Sequence, residues 1–239
     1  MRAHVHNDDS PYNMCCMGMC MKVLVFAPHA DDELLGVGGT IAKHVAQQDT
    51  VLVCIVTQPT EPVFDRDLYK VIQAEAAEAH RILGIQETHF LQYPSTMLEQ
   101  VPRYELNEKI GKLINTIKPD IVYLPHAGDM QKDHAIVADA VMVAVRPKIE
   151  KISGIYAYET LSETEWNSPH IQHAFLPTVY VDITAYIHVK LQAMQCFRSQ
   201  LAAFPHPRSL EAIEALAKFR GSTILAEAAE AFVLIRGIR

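Results

Sequence analysis

The chain has 239 residues, 49% of them hydrophobic and 21% charged, which is a normal globular balance for one large α/β domain or two small ones. A formal net charge of −7 argues against a general nucleic-acid binder, which would present a basic face. No apolar run reaches the roughly 18 residues needed to cross a bilayer, so no membrane span is expected.

The first 20 residues are predicted to be a disordered leader, and the domain is predicted to run from 21 to 239. The leader lacks the apolar stretch of a signal peptide and holds three of the five cysteines, Cys15, Cys16 and Cys20. Alternatively, these three cysteines bind a soft metal ion. An odd cysteine count without regular spacing does not indicate disulfides, so a reducing cytoplasm is the expected location.

A polar cluster follows the first predicted strand, 22–27. Pro28 ends this apolar run, and His29, Asp31, Asp32 and Glu33 come before a predicted helix over 34–47. In open α/β sheets, ligands bind at this carboxyl end of the strands. Adjacent carboxylates are costly unless a cation neutralises them, so the cluster indicates a metal site. The alternative is a helix cap followed by acids that complement the helix dipole.

Strands and helices then alternate along the chain. Strands are predicted over 50–57, 87–91 and 121–124, and helices over 65–83 and 104–117. The βαβαβαβ order predicts a single doubly wound, mainly parallel, Rossmann-like sheet with helices on both faces. Glycines 36, 38 and 39 lack the spacing of a dinucleotide fingerprint and instead favour close packing of the first helix on the sheet.

The turn after the fourth strand should complete the metal site, because a doubly wound sheet places that strand beside the first. His134 follows this turn, ahead of a helix predicted over 135–145. With His29 and Asp32 it makes a set of two nitrogens and one oxygen, which suits a catalytic zinc that keeps one position for water. Asp31 is then left beside the metal as a general base. The alternative for 133–134 is a helix cap and a surface histidine.

These motifs resemble those of the PIG-L/LmbE family of zinc-dependent de-N-acetylases. The first motif is 28–33 and the second ends at 133–134, while 158–166 and 204–209 look like stretches of a bacterial subgroup. The resemblance implies hydrolysis of the acetamido group of an N-acetylglucosamine-type sugar. It also implies one Zn²⁺ held by His29, Asp32 and His134, with Asp31 as the base. Members of the family often self-associate, so this protein could also form a homo-oligomer.

The second motif does not supply a proton donor, because Gln131 stands where many family members carry a histidine. Glutamine can donate a hydrogen bond to an oxyanion but cannot shuttle a proton. We predict that His206, held between two prolines, replaces that histidine, with His126 as the second choice. The alternative for His206 is a plain loop residue.

Three residues are predicted to contact the sugar: Arg208, Asp129 and Trp166. Arg208 would bind a carboxylate or phosphate of the substrate, or else form a surface ion pair. Trp166, the only tryptophan, would stack on a pyranose ring or else be a buried anchor. Two rival functions remain, a zinc hydrolase of another small amide or thiol-precursor glycoside, and a weakly catalytic sugar-binding protein.

The last third of the chain continues with strands and helices. Strands are predicted over 154–158 and 178–183, and helices over 185–201, 210–220 and 222–231.

Overall fold

The computed structural model describes residues 20–65, 67–147 and 151–238. Its strands are β1 (Lys22–Ala27), β2 (Thr50–Gln58), β3 (Glu87–Pro94), β4 (Ile121–Pro125), β5 (Gly154–Tyr158), β6 (Val179–Asp182) and β7 (Ala229–Gly237). Its helices are α1 (Asp32–Ala46), α2 (Leu68–Leu83), α3 (Arg103–Ile117), α4 (Lys132–Ala144), α5 (Ile187–Met194) and α6 (Leu210–Ser222). Most of the leader, including Cys15 and Cys16, lies outside the described residues.

All of the strands form one sheet in the order β3-β2-β1-β4-β5-β7-β6. The first five in this order pair in parallel, and β7 and β6 add an antiparallel edge. The predicted doubly wound, mainly parallel α/β fold is therefore confirmed. Strand β1 lies beside both β2 and β4, so the chain winds away from it in both directions, and the carboxyl ends of β1 and β4 flank a crevice.

The central strand is buried on both faces. Val23 and Val25 pack with α1, α2 and α5 on one side of the sheet. Leu24 and Phe26 pack with α3 and α4 on the other side. This two-sided burial explains why the strand is continuously apolar rather than alternating. It also gives the turn that follows β1 a rigid base.

One predicted element near the carboxyl terminus is wrong, and a second is predicted too long. The alanine-rich stretch 222–231 was expected to be helical, but its last residues begin β7, which is hydrogen-bonded to β5 and β6. Tertiary pairing and burial of Phe232 override the local helix propensity there. Helix α5 ends at Met194 instead of 201, and residues 195–209 form turns that lead to α6.

The amino-terminal half of α1 packs tightly on the sheet, as its glycines predict. A Cβ atom added at Gly36 would overlap the ring of Tyr158, whose hydroxyl donates a 2.8 Å hydrogen bond to the carbonyl of Phe26 in β1. A Cβ added at Gly39 would lie 2.6 Å from Ile183. No helix within the described ranges is long and apolar enough to cross a membrane.

Gly36→Ala should lower the free energy of unfolding by about 1–3 kcal/mol, because the added methyl group overpacks the helix against Tyr158. Gly111→Ala is the control, since a Cβ at Gly111 of α3 meets no atom within 4 Å. That change should raise stability by about 0.5–1 kcal/mol. Urea denaturation measures both. Equal stability of the Gly36 variant and the native protein would contradict the close contact.

Candidate active site

His29, Asp32 and His134 converge at the carboxyl edge of the sheet. The turn after β1 supplies His29, Asp32 is the first residue of α1, and the first turn of α4 supplies His134. Asp32 Oδ2 lies 3.1 Å from His29 Nδ1 and 3.3 Å from His134 Nε2. One potential ligand atom from each residue lies within 4.8 Å of the other two. The adjacency of β1 and β4 thus joins residues 105 positions apart into one cluster that could hold a metal ion.

The donor atoms of this cluster fit a divalent cation. Asp129 Oδ2 lies 2.8 Å from His134 Nδ1 and orients the ring, so that Nε2 is directed toward Asp32. His134 Nε2 and Asp32 Oδ1 are buried and make no hydrogen bond to the protein. Buried polar atoms normally have partners, and a metal ion would satisfy both. Two imidazoles and one carboxylate are a donor set that zinc accepts, with room for water.

The protonation states without a metal follow from the same contacts. Burial alone would lower the pKa of His29, but hydrogen bonds to Asp133 and Asp32 raise it to about 9. Burial opposes the charged form of His134 too, yet the charge of Asp32 and the Asp129 hydrogen bond raise its pKa to about 10. Although burial disfavours the Asp32 carboxylate, His134 and His29 hold its pKa well below the usual range. A metal ion must therefore displace protons from the histidines.

Asp31 lies beside this cluster in an unusual backbone conformation, with φ 123°. Such a φ is strained for a residue with a side chain and must be held by the surroundings. Its amide donates to Glu33 Oε2 at 3.1 Å, and Glu33 Oε1 lies 2.8 Å from His80 Nε2 in α2. Burial raises the pKa of the Asp31 carboxyl to about 7, although the Arg208 charge opposes this. A carboxyl group with this pKa can exchange a proton near neutral pH.

Asp133 belongs to the second motif, but the sequence did not reveal its contacts in the site. Its carboxylate accepts hydrogen bonds from the amides of Thr96 (2.7 Å) and Leu98 (3.3 Å), and lies 3.1 Å from His29 Nε2. It therefore ties the chain that follows β3 to a candidate metal ligand. The sequence-based alternative made Asp133 a helix cap, but the N-cap of α4 is Gln131, whose side chain accepts from the Asp133 amide. Its partners are too distant in sequence to form a motif.

Gln131 and Arg208 both reach the cluster. Gln131 Nε2 lies 3.1 Å from His29 Nε2. Arg208 Nη1 donates to Asp31 Oδ2 at 3.0 Å, and Nη2 lies 3.6 Å from a carboxylate oxygen of Glu163. Arg208 was expected to bind an anion of the substrate. The structure pairs its guanidinium with two acids of the protein, as in the ion-pair alternative, and binding of a substrate anion by Arg208 stays a prediction.

Asp129 and Trp166, the other predicted sugar contacts, are not among the residues that line the cleft beside His29. Asp129 is 2% exposed, and its oxygens accept from Thr164 Oγ1 at 2.6 Å and contact His134. Its position is behind a candidate ligand rather than in front of it. Trp166 is 72% exposed, so the alternative that it is a buried anchor is wrong. Its stacking on a sugar stays a prediction.

The two histidines proposed as proton donors occupy different places. The His206 side chain is exposed, and its Nδ1 accepts a 3.1 Å hydrogen bond from the amide of Arg208. His126 Nε2 lies 3.0 Å from the carbonyl oxygen of His173. Neither lines the cleft that opens from the cluster. The donor role of His206 therefore stays a prediction that no contact with the cluster supports.

A cleft of about 220 Å³ opens beside His29 and is lined by Gln131, Glu163, Arg208 and a set of apolar residues from β2, β3 and α2. Glu163, which the sequence did not single out as a site residue, is 9% exposed. Its Oε2 is buried without a hydrogen-bond partner. Burial raises the pKa of this carboxyl, against the nearby positive charges of His134 and Arg208. Glu163 thus adds a second carboxyl with a raised pKa to the edge of the cluster.

An α/β fold with a two-histidine, one-carboxylate cluster at the switch point defines a candidate metal-dependent hydrolase. Residues 24–145, just over half of the chain, match the PIG-L family, described as GlcNAc-PI de-N-acetylase. The chain therefore belongs to this family of de-N-acetylases. It is a hydrolase of carbon–nitrogen bonds other than peptide bonds.

Relatives of known description agree with this assignment. A probable N-acetyl-α-D-glucosaminyl L-malate deacetylase of Bacillus anthracis is 27% identical over 75% of this chain and 81% of its own length. The diacetylchitobiose deacetylase of Thermococcus kodakarensis is also 27% identical, over 75% of this chain and 70% of its own. Among solved structures, a conserved protein from Thermus thermophilus superposes with a TM-score of 0.74 at 25% identity, covering 92% of this chain and 96% of that one.

Binding of a divalent cation at pH 7 should release about two protons, because His29 and His134 are protonated without metal and must be neutral to ligate. Affinity should accordingly fall as the pH is lowered and level off above about pH 10, where both rings are already neutral. Calorimetric titration of the metal-free protein in buffers of different ionisation enthalpy counts the protons.

His134→Ala should abolish this binding, whereas His126→Ala should retain it. Metal binding with no proton release, or full binding by the His134 variant, would contradict the assignment of the cluster.

Proposed function

We propose that the protein is a zinc-dependent deacetylase that removes the acetyl group from an N-acetylglucosamine-type sugar and releases acetate and an amino sugar. The observation that carries the proposal is the buried His29–Asp32–His134 cluster, with Asp31 beside it and a cleft in front. The described activities of the Bacillus and Thermococcus relatives, both deacetylases of N-acetylglucosamine-type compounds, support the substrate class.

His29, Asp32 and His134 would hold the zinc, which supplies Lewis-acid polarisation and lowers the pKa of a water molecule. Asp129 orients His134 through its 2.8 Å contact. Asp133 does the same for His29 while fixing the loop after β3. These carboxylates hold the two imidazoles in the tautomers that ligation needs.

Asp31 would accept a proton from the attacking water molecule while the water oxygen bonds to the carbonyl carbon of the acetamide. Its carboxylate is buried next to Asp32, Arg208 fixes its Oδ2, and its Oδ1 makes no hydrogen bond. The side-chain amide of Gln131 would donate a hydrogen bond to the oxyanion that forms. The carbon–nitrogen bond then breaks, acetate departs, and the sugar nitrogen takes up a proton to leave as an amine.

Two groups are candidates for the proton donor to that nitrogen. His206 is the sequence-based choice, but its exposed ring lies outside the cleft lining. Glu163 lines the cleft with His29 and carries a buried carboxyl oxygen without a partner. Its raised pKa favours the protonated form that a donor needs. Its position therefore makes Glu163 the better-placed group.

Asp31→Asn should keep the metal and reduce turnover by roughly a hundred- to ten-thousand-fold, the usual contribution of a positioned base. The native rate should fall as the pH drops through the Asp31 pKa, because the base must be ionised. The Asn variant should lose this acid limb. Acetate release and bound metal are measured side by side, with the exposed Asp139→Asn as control. Near-native turnover by the Asn variant would remove Asp31 from the mechanism.

The variants Glu163→Gln and His206→Ala show which of the two candidate groups is the proton donor. Replacing the true proton donor should lower turnover by roughly a hundredfold or more. It should also remove the alkaline limb of the pH–rate profile. We expect this of Glu163→Gln, with metal still bound. We expect His206→Ala to change turnover little, since its ring only accepts from the Arg208 amide. The reverse result would restore the sequence-based choice.

A panel of N-acetyl sugars assayed for acetate release tests the function itself. Hydrolysis of none of them, with metal bound, would favour a binding protein. Hydrolysis confined to other amides would favour the rival hydrolase.

A further inference from the structure

The cleft in front of the cluster is chemically divided. Its ionisable end holds His29, Glu163 and Arg208. Its other end is formed by apolar side chains that we call the apolar wall: Ile55, Phe64, Leu68, Ile72 and Phe90. The wall comes from three neighbouring elements, β2, β3 and α2, together with the loop that joins β2 to α2.

The apolar wall exposes apolar side-chain surface that a ligand could cover. Ile55 is 1% exposed and forms the floor, whereas the other four side chains are half-buried and line open space. Half-buried apolar side chains that face a cleft gain free energy when a ligand covers them. Polar residues that line the same cleft include Thr57 and Gln73, whose side chains are uncharged.

Among the described residues, Arg208 supplies the only guanidinium that lines the cleft, and the carboxylate of Asp31 already neutralises its charge. Arg208 contacts Asp31 at 3.0 Å and Glu163 at 3.6 Å. An anionic group of a substrate would have to displace these acids, and within the described part of the cleft no lysine or second arginine replaces them. The cleft therefore does not favour a substrate that carries a carboxylate or phosphate.

We propose that the substrate carries an uncharged apolar or aromatic aglycone on its amino sugar, and that the apolar wall binds this group while the acetamide lies at the cluster. The inference rests on the deacetylase function proposed above. It adds a substrate class, because His29 of the cluster and the apolar wall line the same cleft, so a ligand with its acetamide at the cluster can place another group on the wall. The apolar wall would select the aglycone because it buries the apolar surface of that group, without forming an ion pair.

The experiment compares four substrates of the full-length, zinc-loaded protein: N-acetylglucosamine, its phenyl glycoside, a glycoside with a carboxylate aglycone, and N-hexanoylglucosamine. The phenyl glycoside should have a kcat/KM roughly ten- to hundredfold above that of the free sugar, as burial of one aromatic ring predicts. Equal values for all glycosides would overturn the proposal, and so would a preference for the carboxylate. Preference for the hexanoyl amide alone would place the acyl chain on the wall and equally overturn it.

Variants of the wall provide a second measurement. Phe64→Ala and Ile72→Ala should raise KM for the phenyl glycoside several-fold more than KM for the free sugar. The controls are their exposed sequence neighbours, Val63→Ala and Val71→Ala, which do not line the cleft. Thermal unfolding confirms that each variant folds. A uniform effect on both substrates would contradict a specific role of the wall.

Calorimetric binding of phenyl and methyl glycosides of N-acetylglucosamine keeps this inference separate from the proposed function. If no sugar is hydrolysed, the deacetylase proposal fails, but tighter binding of the phenyl glycoside that Phe64→Ala abolishes would still support the apolar wall. Equal binding of the two glycosides would overturn it whatever the turnover.

Discussion

The structure depends on concentrated charge at the carboxyl ends of β1 and β4. Three carboxylates of this region, Asp31, Asp32 and Asp133, are at most 1% exposed. Burial of such groups is costly unless each is paired and hydrogen-bonded. Histidines, one arginine and backbone amides supply many of those partners. Three atoms of Asp31, Asp32 and His134 stay without one, and two of them, Asp32 Oδ1 and His134 Nε2, belong to the candidate ligands of a cation. The buried carboxylates that need a cation therefore lie where the fold brings the candidate metal ligands together.

A surrounding layer of side chains keeps this charge in place. Glu33 and His80 hold the Asp31 amide, Asp129 holds His134, and Asp133 ties the loop after β3 to His29. These partners come from several different elements, so the site forms only when the sheet and α2 are assembled. Such outer contacts fix ligand orientation and commonly account for much of a metal site's affinity.

The same arrangement would separate the proposed chemistry from substrate recognition. Ionisable groups of the cleft pair with one another, and Arg208 is paired with Asp31, the proposed base. Selectivity would then come from the apolar wall, where area and shape rather than charge discriminate between ligands. Under this proposal, changes in the loop after β2 and in α2 would alter the aglycone that is accepted.

The sequence by itself determined the parallel core, the two ligand turns and the candidate ligands, because strand periodicity and the motif residues at 28–33 and 133–134 are local patterns. Tertiary structure decided what local patterns cannot encode. The alanine-rich stretch before Phe232 became a strand because the sheet had an open position between β5 and β6. Arg208 met Asp31, and Glu163 and Asp133 joined the site, through contacts between residues 35 to 177 positions apart in the chain. Such partners leave no periodic or spacing signal, since only the folded chain sets their distance.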